Sequence, residues 1–210
     1  MKNLILSVIF LFIYCIAHAQ NCNCNITVCG KIWMTHNLTS KTYRNGDPIQ
    51  QVTNPSQWSN LTTGAWCYYN NSQANEETYG ILYNWYAVND PRGLAPTGWH
   101  IPTWQEWVAL SDCFGGDANS GGALKESGTT HWVFPNAGAT NSSGFTALPG
   151  GWRSTGGGFS QIGFEGYWWS SNFFSPDYPW GRRLTYNTTI SDGGGNVETH
   201  GFSVRCIKDN

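Results

Sequence analysis

The chain has 210 residues, of which 11 % are charged and 15 % aromatic, and its formal charge is -2. With no basic stripe to neutralise phosphates, nucleic acid is excluded as a partner. The length fits one domain behind a short N-terminal segment, and a chain this aromatic can build a dense core with few aliphatics, because each ring removes roughly 150–250 Å² from water.

Met1-Lys2-Asn3 gives a positive start, Leu4 to Ile16 is an apolar run, and Ala17-His18-Ala19 offers small residues for a signal peptidase. This predicts a signal peptide over residues 1–19, cleaved before Gln20. The run is shorter than the about 20 residues that a spanning helix needs. Tyr14 before Cys15 and Asn21 before Cys22 are too bulky for lipoprotein processing. The expectation is a secreted, periplasmic or cell-surface protein with no membrane insertion after cleavage.

Six cysteines remain beyond the signal segment: Cys22, Cys24, Cys29, Cys67, Cys113 and Cys206. In an exported chain all six are disulfide candidates, with the connectivity open. Cys22, Cys24 and Cys29 suit a local N-terminal staple, so residues 20–27 read as a short Cys-rich extension ahead of a single domain over 28–210. No His or further Cys stands at zinc-finger spacing, and no metal is expected there.

Ile32-Trp33-Met34 is the first strand signal, and Trp66-Cys67-Tyr68-Tyr69 the next. Tyr79, Leu82, Tyr83 and Tyr86 fall at helical spacing, which predicts a helix over Thr78–Val88. A second helix over Thr103–Phe114 opens with Thr103 and Glu106 at capping-box spacing and stops at Gly115-Gly116. Gly121 to Glu126 allows a short third helical turn. Later strands are expected at Thr146–Pro149, Tyr167–Trp169, Arg182–Tyr186 and Gly201–Ile207, the last with Phe202, Val204 and Cys206 on one face. Helices early and strands late indicate an α+β fold.

Several segments together carry a family likeness. They run from Lys31-Ile32-Trp33-Met34-Thr35-His36-Asn37-Leu38 through Tyr79–Val88, Pro96–Thr103 and Gly144–Gly151 to Trp168-Trp169-Ser170-Ser171 and Gly201-Phe202-Ser203-Val204-Arg205-Cys206. In this order they resemble the Fibrobacter succinogenes major paralogous domain, over roughly residues 28–209. That family is similar to the formylglycine-generating enzyme group. The resemblance implies a C-type-lectin-like fold, with two helices packed on a twisted antiparallel sheet and the domain's two ends close together. It also implies an exported protein of a Bacteroidetes-type bacterium, and no defined activity. The chain departs from the family at Leu94-Ala95-Pro96, where Leu-Cys-Pro is usual, and at Cys113, so no pairing carries over to Cys67 or Cys206.

No catalytic constellation emerges. Cys206 sits on a predicted strand face and reads as a disulfide partner or core residue; the histidines are scattered, and Glu106 has its capping role. No cofactor is expected, although a structural calcium elsewhere in the chain is compatible with the sequence. Ser175-Pro176-Asp177, Val88-Asn89-Asp90 and Asp192 to Glu198 are imperfect echoes of calcium sites and read as turns.

The stretch from Asn172 to Asn196 is different. It is the least family-like part and is rich in Tyr, Trp, Asn, Ser and Arg, the chemistry of binding loops. Tyr178, Trp180, Arg182, Arg183, Tyr186 and Asn187 are the candidate binding residues. In a strand over Arg182–Tyr186, Leu184 sets the core-facing side, leaving Arg183 and Asn187 outward beside loop residues Tyr178 and Trp180. The expected function is a non-catalytic module that recognises a glycan or protein ligand on a cell surface. Lectin-like proteins diversified by retroelements end in similar segments. The alternatives are an enzyme related to the formylglycine-generating oxidases and a purely structural envelope component.

Overall fold

The structure is a computed structural model that describes residues 25–210. The predicted signal segment and the candidates Cys22 and Cys24 lie outside the described residues. The fold is α+β, dominated by three small sheets with few and short helices.

The first sheet joins the beginning and the end of the domain. β1 (Asn25–Val28) and β2 (Lys31–Met34) form a hairpin, its two turn residues Cys29 and Gly30 having φ of 53° and 74°. Such positive angles define the tight turn whose twist matches a hairpin. β12 (Ile207–Lys208) then inserts between β2 and β6 (Trp99–His100), with Ile207 opposite both Trp33 and His100. A second sheet pairs β3 (Gln50–Gln51), β4 (Ala65–Cys67) and β5 (Leu82–Tyr83). The largest comprises β7 (Gly150–Arg153), β8 (Phe159–Ile162), β9 (Glu165–Ser175), β10 (Tyr178–Thr185) and β11 (Ser191–Gly195). Its order is β11-β10-β9-β7-β8.

Among the described residues, five α-helices accompany them: α1 (Pro55–Ser59), α2 (Glu76–Tyr79), α3 (Trp85–Val88), α4 (Trp104–Asp112) and α5 (Asp117–Leu124). The predicted second helix is α4, closed by the expected capping box. Thr103 Oγ1 accepts from Glu106 N at 3.2 Å, and Glu106 Oε2 accepts from Thr103 N at 2.9 Å.

The expected helix over Thr78–Val88 is replaced by α2, β5 and α3. Gly80 breaks it: its φ is 74°, and its Cα lies so close to Asn37 that a β-carbon there would stand 2.8 Å from Asn37 Cβ. Asn84 then starts α3, its Oδ1 accepting from Ala87 N at 3.1 Å and from Ala65 N at 2.8 Å. Gly201–Ile207 likewise departs from expectation. It is buried on both faces rather than alternating, because it is wedged between two sheets. Phe202 exchanges main-chain bonds with Tyr83, and Ser203 bonds Tyr167 and Trp169. Arg205, expected outward, is 1 % exposed. Thr146–Pro149 contributes one isolated bridge, from Ala147 to Lys125, rather than a strand.

Trp33, Trp107, Trp168 and Phe145 form one aromatic cluster beneath α4, while Trp169, Phe202 and Tyr83 anchor a second and Trp58 a third. Of the tryptophans in the family segments, only Trp99 stays partly exposed. Three buried cations hold the long connections together by collecting carbonyl oxygens from separate segments. Lys125 Nζ donates to Ala137 O, Thr185 O and Thr188 O at 2.9–3.0 Å. Arg153 reaches Val52 O, Thr53 O and Gly157 O, stacked 4.3 Å from the Trp58 ring. Arg205 bonds Phe145 O and Asn37 Oδ1. Meeting the donors in this way offsets the desolvation of a buried ammonium or guanidinium.

Cys29 is bonded to Cys113, 84 positions away, and not to a neighbour in a local N-terminal staple. Cys67 and Cys206, also disulfide candidates, are free thiols. Each is fully buried, Cys67 in the Trp58 cluster and Cys206 in the Tyr83 cluster, and burial pushes both thiols up to about 12.

Candidate functional site

The strand β10 starts four residues earlier than expected, at Tyr178, and this decides where the candidate residues point. Strand side chains alternate, so once Leu184 faces inward, Arg182 and Trp180 follow it. Trp180 is therefore not a loop residue: it is 6 % exposed, packed in the cluster beneath α4. Arg182 is 1 % exposed and cannot meet a ligand. It donates to Ser111 Oγ and, at 2.5 Å, to Asp117 Oδ1, tying β10 to α4 and α5. Desolvation there lowers its pKa despite the Asp117 carboxylate, yet a guanidinium stays charged. Tyr186 is half-buried, edge-on to Phe164 at 5.4 Å.

Three of the six candidates remain accessible. Tyr178 is 51 % exposed beside the β9–β10 turn, where Phe174 is 62 % exposed. Arg183 and Asn187 lie on the opposite, outward side. Arg183 grips Asp192 on β11 in a two-pronged pair, Nε to Oδ1 at 3.0 Å and Nη2 to Oδ2 at 2.5 Å, and this raises its pKa. Both side chains keep about 40 % of their surface in solvent.

This pair divides a shallow groove across the outer face of β9, β10 and β11. On one side is a hollow of about 240 Å³ lined by Tyr167, Gly181, Gly193–Gly195 and Asn196. On the other is one of about 420 Å³ lined by Glu165, Thr185, Asn187, Thr188 and Ile190. Arg183 and Asp192 border both. The Tyr167 hydroxyl donates to Glu165 Oε2 at 2.9 Å, and burial, with that carboxylate, pushes the phenol up to about 12. The ring is stacked 4.8 Å from Phe202, so it is a fixed platform.

The sequence did not mark Tyr167, Asp192 or the glycine floor as site residues. Asp192-Gly193-Gly194-Gly195 reads as a turn, yet it is most of β11, a strand whose bare backbone lets Trp180 pack against Gly193. The other acidic loops are likewise engaged. Arg92 holds Asp90 at 2.8 Å and lowers its carboxyl to about 2, and Ser175-Pro176-Asp177 is the hairpin turn, with Asp177 at φ 68°. Among the described residues no group of three or more His, Cys, Asp or Glu is placed to hold a metal.

A larger hollow, about 460 Å³, lies between Met34, Leu38, Glu76–Thr78 and Gly80. It carries no aromatic wall or arginine, and Glu76 is already bound by Lys41 at 2.7 Å. The β9–β11 groove instead has the Arg183–Asp192 pair at its centre.

The architecture is an α+β domain that presents a polar, glycine-floored groove on its largest sheet. The Fibrobacter succinogenes major domain matches residues 26–208, and the chain belongs to that family. No curated protein and no solved structure matches it. Among the described residues no helix is long and apolar enough to cross a membrane.

Proposed function

We propose that this protein is an exported, non-catalytic binding module of C-type-lectin-like fold. Its ligand is a glycan or a protein on a cell surface, held along β9, β10 and β11. The observation that carries this reading is the half-exposed Arg183–Asp192 pair standing over a floor of glycines, with hollows on both sides. A planar guanidinium and a carboxylate offer directed donors and acceptors, and Gly194, where a β-carbon would meet nothing within 4 Å, leaves a ligand close access beside them.

The alternative of an oxidase-like enzyme would rest on Cys206. That thiol is fully buried and pushed up to about 12, the opposite of an activated nucleophile. The diversified-lectin version of the binding reading would place varied residues on the outward side of β10, and a template repeat beside the gene would test it.

Glycan and peptide arrays probed with the wild-type chain and with Arg183→Ala test the proposal. A bound signal that Arg183→Ala weakens by about 2 kcal/mol, with melting little changed, is expected of an anchor residue. Absence of any array signal that depends on Arg183 overturns the reading and leaves a structural envelope role.

A further inference from the structure

The sheet order leaves β11 with a single neighbour, β10. The phase of that ladder is fixed by Asn196 N donating to Pro179 O, with the register continuing as Gly195 opposite Trp180, Gly194 opposite Gly181 and Gly193 opposite Arg182. Antiparallel partners alternate between bonded and non-bonded pairs. Gly194 and Asp192 therefore turn their main-chain groups to β10, whereas Gly193 and Gly195 turn theirs off the edge of the sheet. β9 agrees: Trp169 N and Tyr167 O face away from β10 and bond Ser203. Gly193 and Gly195 are exposed, and neither has another main-chain bond among the described residues.

The open edge is local. Just upstream, Thr189 O accepts from Gly121 N of α5 at 2.8 Å, and Ile190 N bonds Thr188 Oγ1. The opposite edge, β8, is interrupted by Gln161 at φ 69°. Sheets protect free edges with Lys, Pro, bulges or covering loops. At Gly193–Gly195 there is none of these, only backbone without side chains, the condition under which another backbone can approach closely. Phe174 and Tyr178 flank this stretch: a β-carbon on Gly195 would sit 3.1 Å from the Phe174 ring and 3.0 Å from Tyr178 Cβ.

We infer that the ligand is an extended peptide segment that adds to β11 as a further strand, bonding the main-chain groups of Gly193 and Gly195 and resting an apolar side chain against Phe174 and Tyr178. This narrows the binding reading above and rests on it. A glycan could use the rings and the Arg183–Asp192 pair, but it has no main-chain ladder to offer the two glycines.

The test pans a phage-displayed random peptide library on the whole chain and synthesises the strongest binder. N-methylation at alternate residues of that peptide should weaken binding at least about tenfold in one phase and little in the other, since each phase removes the donors of one edge. Amide exchange at Gly193 and Gly195 should slow when the peptide is added, while Gly194, already bonded to Gly181, should change little. Tyr178→Ala and Phe174→Ala should weaken the peptide without lowering the melting temperature.

A binder indifferent to N-methylation in both phases, or protection confined to other amides, overturns strand addition and leaves the binding reading standing. So does an array that yields Arg183-dependent glycans and no peptide. Self-association that protects Gly193 and Gly195 without added peptide overturns it in favour of a second copy. If neither peptide nor glycan binds, both readings fall.

Discussion

Gly193 lies directly against the indole of Trp180: a β-carbon there would stand 2.2 Å from Cζ2. The neighbouring Gly194 faces the other way and would meet nothing within 4 Å. Gly193→Ala should therefore cost about 1–3 kcal/mol through overpacking, and Gly194→Ala only a few tenths. Urea denaturation of the two variants measures this; equal effects would show that Trp180 is not seated on Gly193.

Arg182 and Arg183 are adjacent in sequence and opposite in consequence. Arg182→Ala removes a buried side chain bonded to Ser111 and Asp117, and should lower stability by about 2 kcal/mol, less than a fully buried pair because Asp117 is half exposed. Arg183→Ala breaks a pair that is about 40 % solvent-exposed on both sides and should change stability by less than about 1 kcal/mol. Thermal melts that rank the two in the reverse order would contradict the assigned facing of β10.

The cysteines predict a simple labelling pattern. In the folded chain Cys67 and Cys206 should resist alkylation, being fully buried with raised pKa values, and should react only after unfolding. Cys113→Ser opens a covalent loop of 84 positions and should lower stability by about 2–4 kcal/mol, somewhat below the full loop-entropy value. Rapid labelling of Cys206 under native conditions would reopen its candidacy as a nucleophile.

Two histidines should place the stability maximum near neutrality. Burial against Trp152 and Phe202 pushes His200 from 6.5 down to about 4. Between those values the unfolded chain binds a proton that the folded one refuses, so stability falls on acidification by on the order of 2 kcal/mol. His100 works the other way. Burial opposes its charge, but Glu106 and Asp209, at 3.0 and 2.7 Å, outweigh it and raise the pKa above 6.5. Its contribution is complete below that value and is lost as pH rises through the folded pKa. Denaturation midpoints across pH should show the acid limb shrinking in His200→Phe and the upper limb flattening in His100→Gln.

Legibility in the sequence followed how local each cause was. The capping box of α4 depends on Thr103 and Glu106 alone, and it could be read directly. The helical spacing of Tyr79, Leu82, Tyr83 and Tyr86 was real but overridden by Gly80, whose φ is positive and whose backbone packs against the distant Asn37. Alternation failed in Phe202–Ile207 because both faces of that segment are covered, a fact that resides in β5 and β9. At the site, Arg183 and Asn187 followed from Leu184. Trp180 did not, because three consecutive glycines concealed the strand that covers it.

Lys125 gives the groove a particular kind of independence. Its ammonium fastens the carbonyls of Thr185 and Thr188 from beneath, at the point where the chain leaves β10 for β11. The course of the backbone there is set from within the domain, by an atom no ligand touches. Outward residues such as Arg183, Thr185 and Asn187 are a facing laid on a frame that does not lean on them. Exchanging them should re-specify what is recognised while the frame stays put, whereas Lys125→Met would loosen recognition without altering one atom of the surface that performs it.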